Sequence, residues 1–247
     1  GEYYQDTVTT KVELVTAKNI HADSLQQLMK VLSSIRQGAT IAMPDLEVVA
    51  SSMVDSVLRN STAMALLARM VEKDEYTSSH SLESSIWALV FGRHLGLDRE
   101  SLEAVGLGAL LLDVGKTKLP EELFNKTGEL TIVERSHIQS HIKFGLDIIR
   151  EADSVDQRVL DMVATHHERF DGSGYPRGWQ GNQIPVFGRI GGIVDSYSAM
   201  TSKRPYAPAM SSFDAMREFT ALADKHFQAE MVEQFIQAIG IFPAGTL

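Results

Sequence analysis

Residues 165–178 read THHERFDGSGYPRG. An apolar stripe of Val155, Val159, Met162 and Val163 runs at helical spacing straight into His166 and His167, and helical periodicity then stops at a run punctuated by glycine and proline. Two adjacent imidazoles at the inner end of a core-facing helix predict a site built inside a helical bundle. The loop that follows, 168–186, is long for a connection without its own secondary structure, which marks it as functional or mobile.

Working outward, helical periodicity dominates, with no internal repeat and no clear strand alternation. Helices are predicted over 20–34, 44–59 and 63–71, with Pro44 at a helix start and Asn60 at a boundary. Further helices follow over 77–95, 100–113, 131–150, 155–167, 187–202, 211–223 and 228–239. The stretch VGKTKLPEELFNKTGELT, 114–131, reads as a connecting loop. The expected fold is all-α, a helical bundle with additional N-terminal helices. Residues 1–70 are expected to form an N-terminal helical segment that packs against the bundle or serves as a linker or homodimer contact of a longer protein, and 71–247 the main domain.

With 247 residues the chain can bury a sizeable core. It has no cysteine, so no disulfide holds it, which suits a reducing cytoplasm. A net charge of −9 argues against an extended nucleic-acid surface, which needs clustered Lys and Arg to displace counterions. No apolar run approaches the roughly twenty residues of a membrane span, and the opening GEYYQDTVTT lacks the charged and apolar regions of a signal peptide. The chain therefore reads as soluble, and its polar opening after a Gly reads as the edge of a trimmed, longer protein.

The polar residues on the inner faces carry the chemistry. Leu102, Val105, Ala109 and Asp113 follow one another at steps of three or four, so a carboxylate ends a core stripe. His141 sits among Ile138, Ile142, Gly145 and Ile149, and Asp195 follows IGGIV on a helix apolar nearly all round. One such residue alone is an ordinary hydrogen-bonded core His or a capping Asp. Several together, without Cys, suit one or two divalent ions such as Fe, Mn, Zn or Ni better than a thiophile. Buried carboxylates need such partners because burial without one costs several kcal/mol. Lys116, just beyond Asp113, reads either as a phosphate contact or as a solvated loop lysine, and Arg169 and Arg204 invite the same pair of readings.

HHERFDGSGYPRG, with KDEYTSSHS around His80, LLLDVGKTKLP, SHIQSHIKFG around His141, IPVFGRIGGIVDSYSAMTSKRPY around Asp195 and the closing FIQAIGIFPAGTL, resembles the HD-GYP family. Members are metal-dependent hydrolases that open cyclic di-GMP to pGpG or GMP on an HD-domain-like helical bundle. The resemblance covers about 71–247, and a fainter likeness extends through DSVLRNSTAMALLARM, residues 55–70. It implies that Asp113 bridges two ions, with Fe or Mn foremost, and is catalytic together with Lys116. His141, His166 and His167 would join Asp113 around one ion, and Asp195 and His80 would serve the other. Lys116, Arg204, Arg169 and Tyr175 would meet the ligand, and Gly174, Tyr175 and Pro176 would shape the GYP loop and offer a surface to GGDEF-type or other signalling proteins.

Three departures fall on the chemistry: Leu112 where the family has the His of His-Asp, Ser198 where a second Asp is usual, and Ala207 where RPY is usually followed by Arg or Lys. Thr127 before Gly128 and Ile142 after His141 read as tolerable variation. Leu112 removes an imidazole donor from one ion only. Two readings follow: an HD-GYP phosphodiesterase whose activity is weak or lost, and a non-catalytic module that binds cyclic di-GMP or a protein partner. A third, ordinary turnover with His80 or His137 compensating, ranks last because His137 is expected to be exposed.

Overall fold

Glu83 to Gly92 on one helix are all buried, and a helix buried on every side must lie at the centre of the molecule. The computed structural model, which describes residues 3–70, 76–126, 128–202 and 209–240, places this helix in the middle of an all-α assembly with no strand among those residues.

The N-terminal layer consists of α1 (Thr10–Arg36), α2 (Met43–Arg59) and α3 (Ser61–Met70). The central helix is α4 (Tyr76–His94), paired closely with α5 (Arg99–Leu111). After a 3-10 helix over Val114–Lys118 come α6 (Glu122–Asn125), α7 (Ile132–Gln139), α8 (His141–Arg150) and α9 (Gln157–Thr165). Then follow α10 (Val186–Thr201), α11 (Ser212–Ala221) and α12 (Ala229–Gly240). α1, α2 and α3 pack on α4, and α2 also packs on α5, so one apolar core runs from Ala17 to Ile239 across residue 70.

Local chemistry fixes several of these boundaries. Pro44 occupies the first turn of α2, where its missing N–H costs nothing. Asp98 caps α5 by accepting from Ser101 N at 2.8 Å, and Thr131 with Glu134 forms a capping box at α7. α1 begins ten residues earlier than the apolar pattern predicts. Its first turns bury Glu13, whose carboxylate takes Arg59 Nε at 2.7 Å and Ser56 Oγ at 2.7 Å, and a polar residue inside the stripe hides the helix from a hydrophobic count. The single helix expected over 131–150 is two, broken at Ser140. No Gly or Pro stands there; α7 buries no residue and so is not bound to continue the direction of α8.

Candidate metal centre

Four segments converge on one interior spot: the turn after α5, the start of α8, the end of α9 and the middle of α10. Two close approaches make this convergence possible. A Cβ added to Gly115 would stand 1.8 Å from His141 O, so only glycine lets the turn that carries Asp113 touch the start of α8. A Cβ on Gly188 would stand 1.8 Å from Thr165 Oγ1, so α10 lies directly on the end of α9 and brings Asp195 toward His166. From the central helix α4, His80 reaches the same region.

One donor atom from each of Asp113, His141, His166 and His167 lies within 4.8 Å of the others, and His80, Asp113 and Asp195 form a second such group. Asp113 belongs to both, and its two oxygens divide between them. Oδ1 is 3.6 Å from His141 Nε2, whereas Oδ2 is 3.8 Å from His80 Nε2. His80 Nε2 also stands 2.8 Å from Asp195 Oδ1. One oxygen of the carboxylate thus faces each group.

The imidazoles are held in one tautomer. His141 Nδ1 donates to Ile138 O at 2.6 Å, and His166 Nδ1 donates to Val163 O at 2.9 Å. A carbonyl can only accept, so the proton sits on Nδ1 and each Nε2 turns a lone pair inward. The break at Ser140 and the end of α9 at Thr165 place these two histidines at helix boundaries. His141 Nε2, His166 Nε2 and Asp113 Oδ1 are buried and have no hydrogen-bond partner among the described residues. Three buried acceptors converging without a donor cost free energy that a cation would recover, and the donor set, oxygen and imidazole nitrogen, fits a divalent ion.

Protonation states agree with this fit. Burial lowers the pKa of His141, takes that of His166 down to about 4 and holds that of His167 well below the usual imidazole range. All three are neutral near pH 7. Burial alone would raise Asp113, but Lys116, His141 and His80 outweigh it, and its pKa falls below the ordinary carboxylate range. Asp195 is likewise pushed up by burial and pulled further down by His80. Both carboxylates are therefore ionised.

The other residues singled out in the sequence are distributed as follows. Leu112 is 2 % exposed and belongs to the apolar core. Lys116 is no solvated loop residue: its Nζ is 2.6 Å from Asp113 Oδ2 and lies 5.6 Å from the centre of the Phe124 ring. Arg169 Nη1 donates to the carbonyls of His166 and Glu168, and its guanidinium lies over Phe227, so this arginine braces the end of the His-His segment. Tyr175 stacks on His167, with ring centres 4.7 Å apart and planes 20° from parallel, and its pKa is raised by burial and by the charges of Asp113 and Asp195. Tyr175 N donates to His167 O, which ties the Gly174-Tyr175-Pro176 turn to the histidines. His137 is exposed and stands outside both groups. Arg204, Ala207 and Thr127 lie outside the described residues.

Glu168, Glu83 and Ser202 escaped the sequence reading. Glu168, 4 % exposed, accepts from Arg177 N at 2.8 Å and Trp179 N at 3.0 Å, fixing the 168–186 loop from beneath. Its place directly after His-His was the only signal. The contacts of Glu83 and Ser202 join residues more than a hundred positions apart, which no local pattern displays. Among the described residues no helix is long and apolar enough to cross a membrane.

Comparison with known proteins places this geometry. The profile of the HD domain family matches residues 49–231. A cyclic di-GMP phosphodiesterase of Pseudomonas aeruginosa is 36% identical over 202 residues, covering 80% of this chain and 49% of that protein. The 3'3'-cGAMP-specific phosphodiesterase 2 of Vibrio cholerae is 30% identical over 187 residues, covering 75% of this chain and 36% of that protein. The chain spans less than half the length of either relative. Among solved structures, an HDG"Y"P protein from Bdellovibrio bacteriovorus superposes with a TM-score of 0.76 over 95% of this chain and 75% of that one, at 16% identity, a likeness of fold.

Proposed function

The chain belongs to the HD domain family, and on that premise we propose that it is of the HD-GYP type, a metal-dependent phosphodiesterase scaffold for cyclic di-GMP whose hydrolysis is slow. One observation carries the reading: the buried, unpartnered trio of Asp113 Oδ1, His141 Nε2 and His166 Nε2.

In this reading Asp113, His141, His166 and His167 hold one ion, and Asp113, Asp195 and His80 hold a second, with iron or manganese as the natural occupants of such a hard, mixed donor set. Divalent ions there supply Lewis acidity and lower the pKa of a water toward neutrality. The chain's own residues do the rest. The carbonyls of Ile138 and Val163 hold the protons of His141 and His166 on Nδ1 and keep both Nε2 lone pairs inward. Lys116, now paired with Asp113, would be the cation for a ligand phosphate with metal bound beside it. Tyr175, on the rim, presents an aromatic face and a hydroxyl that stays protonated. Arg204 is assigned a second phosphate contact on the motif alone. The GYP turn is the surface proposed for signalling partners of the GGDEF type, and the cytoplasm is the compartment where the substrate is met.

Slow turnover follows from Leu112. The second group has three protein donors where the family supplies a further imidazole, so its ion is held more weakly and the nucleophile less precisely. That apolar position also favours a second reading, a module that binds the cyclic dinucleotide without opening it.

Protein purified anaerobically with iron or manganese, incubated separately with cyclic di-GMP and 3'3'-cGAMP, tests both. Linear product that disappears in Asp113→Ala supports the enzyme, with the faster substrate identifying the base preference. Ligand binding without product supports the module. Absence of both metal and ligand binding overturns the assignment.

A further inference from the structure

Unlike His141 and His166, His80 turns its Nδ1 to a side chain rather than a backbone carbonyl. Ser198 Oγ stands 3.0 Å from His80 Nδ1 and 3.2 Å from Glu83 Oε2. Ser202 Oγ is 3.3 Å from the same glutamate oxygen and 2.5 Å from Ser198 O. All four side chains are buried, Ser198 completely.

We infer that Ser198 and Glu83 are positioning residues for His80 when it takes an ion: the proton by which Nε2 meets Asp195 Oδ1 at 2.8 Å is then lost, and the buried Glu83 carboxylate orients the Ser198 hydroxyl to hold the remaining proton on Nδ1, leaving the Nε2 lone pair for the ion. The inference rests on the proposed assignment of His80 as a metal ligand, and proton bookkeeping gives it direction. An imidazole that offers its Nε2 lone pair to an ion carries its proton on Nδ1, and that proton needs an acceptor. Among the described residues, Ser198 Oγ is an oxygen within its reach. A hydroxyl has one hydrogen, so a serine that accepts from His80 sends its own hydrogen elsewhere, and a carboxylate, which can only accept, receives it. Ser202 gives its one hydrogen to Ser198 O at 2.5 Å and stands 3.3 Å from the same Glu83 oxygen. Ser198, which the sequence marks as the loss of a carboxylate, therefore has a definite part, with the negative charge placed one step further out on α4.

Titration with Mn2+ alone, followed by calorimetry and by the electron paramagnetic resonance signal of the ion, tests this on the metal-free chain. Ser198→Ala changes no charge and removes the Ser198 Oγ contact from His80 Nδ1, and it is expected to weaken the second, His80-dependent binding step by about 10–100-fold while leaving the first step at its wild-type value. Glu83→Leu weakens the same step less, and Glu83→Gln, whose amide oxygen still accepts from Ser198, stays nearer to wild type. His80→Ala serves as the reference that removes the step. If His80→Ala removes it and Ser198→Ala titrates like wild type, the relay is overturned and the metal assignment stands. If His80→Ala changes nothing, the assignment of His80 falls and the relay with it. Thermal melting of each variant separates these outcomes from misfolding, and Glu83→Gln tests the relay should Ser198→Ala not fold.

Discussion

The two halves of the centre share Asp113 and differ in what holds their imidazoles. In the group of Asp113, His141, His166 and His167, backbone carbonyls at two helix boundaries orient two rings. In the group of His80, Asp113 and Asp195, a chain of side chains orients the single ring, and the neighbouring position is a core leucine. Backbone acceptors come with the fold and cannot be lost by substitution. Side-chain acceptors can be lost one residue at a time, so the two halves respond differently to mutation and the second is the weaker.

The largest expected effect strikes the residue they share. Asp113→Ala removes one oxygen from each group, and both Mn2+ binding steps should weaken by at least a hundredfold, seen as loss of bound metal after desalting. Loss of one step only would mean that Asp113 does not bridge.

Acid should unsettle the four-donor half next. His166 titrates near 6.5 in the unfolded chain and near 4 in the folded one. Between those values the unfolded state binds more protons. This group's contribution is therefore intact above about pH 6.5 and declines by about 3 kcal/mol as the pH falls to 4, with no further loss below. Urea unfolding in chelator across that window measures it, and a flat profile would contradict the buried, neutral imidazole.

A smaller effect, about 2–3 kcal/mol, is expected for Gly115→Ala, because its Cβ would collide with backbone at His141 O. A Tm lowered by several degrees together with a weakened first binding step would tie the close approach to the site. An unchanged Tm would show that the turn can yield.

Leu112→His is the smallest and points the other way. It adds a donor to the three-residue half and should tighten the second step by about tenfold and speed product formation, at the cost of a polar group in an apolar core. No gain would place the defect at Ser198, Ala207 or the loop.

Much of this was legible in the sequence because the site lies at the ends of strongly periodic helices. The stripes ending in Asp113 and His166, and the motif spacing around His80, His141 and Asp195, named the residues that the fold brings together. The rest depended on contacts without a local signature. Glu13 lies inside a core stripe because Arg59, forty-six positions away, neutralises it, and that concealed the start of α1. Ser198 read as a deficit because Glu83 is more than a hundred residues distant. Lys116 stays open between a phosphate contact and a solvated lysine in the sequence because its salt bridge to Asp113 depends on the 3-10 turn over Val114–Lys118.

The measurement that tests the centre most directly is a stoichiometric Mn2+ titration of the wild-type chain. One ion bound tightly near one equivalent, followed by a second at least tenfold weaker that His80→Ala removes, is the predicted result. Two steps of equal affinity, or no binding at all, would contradict an unequal pair of sites built on one bridging aspartate.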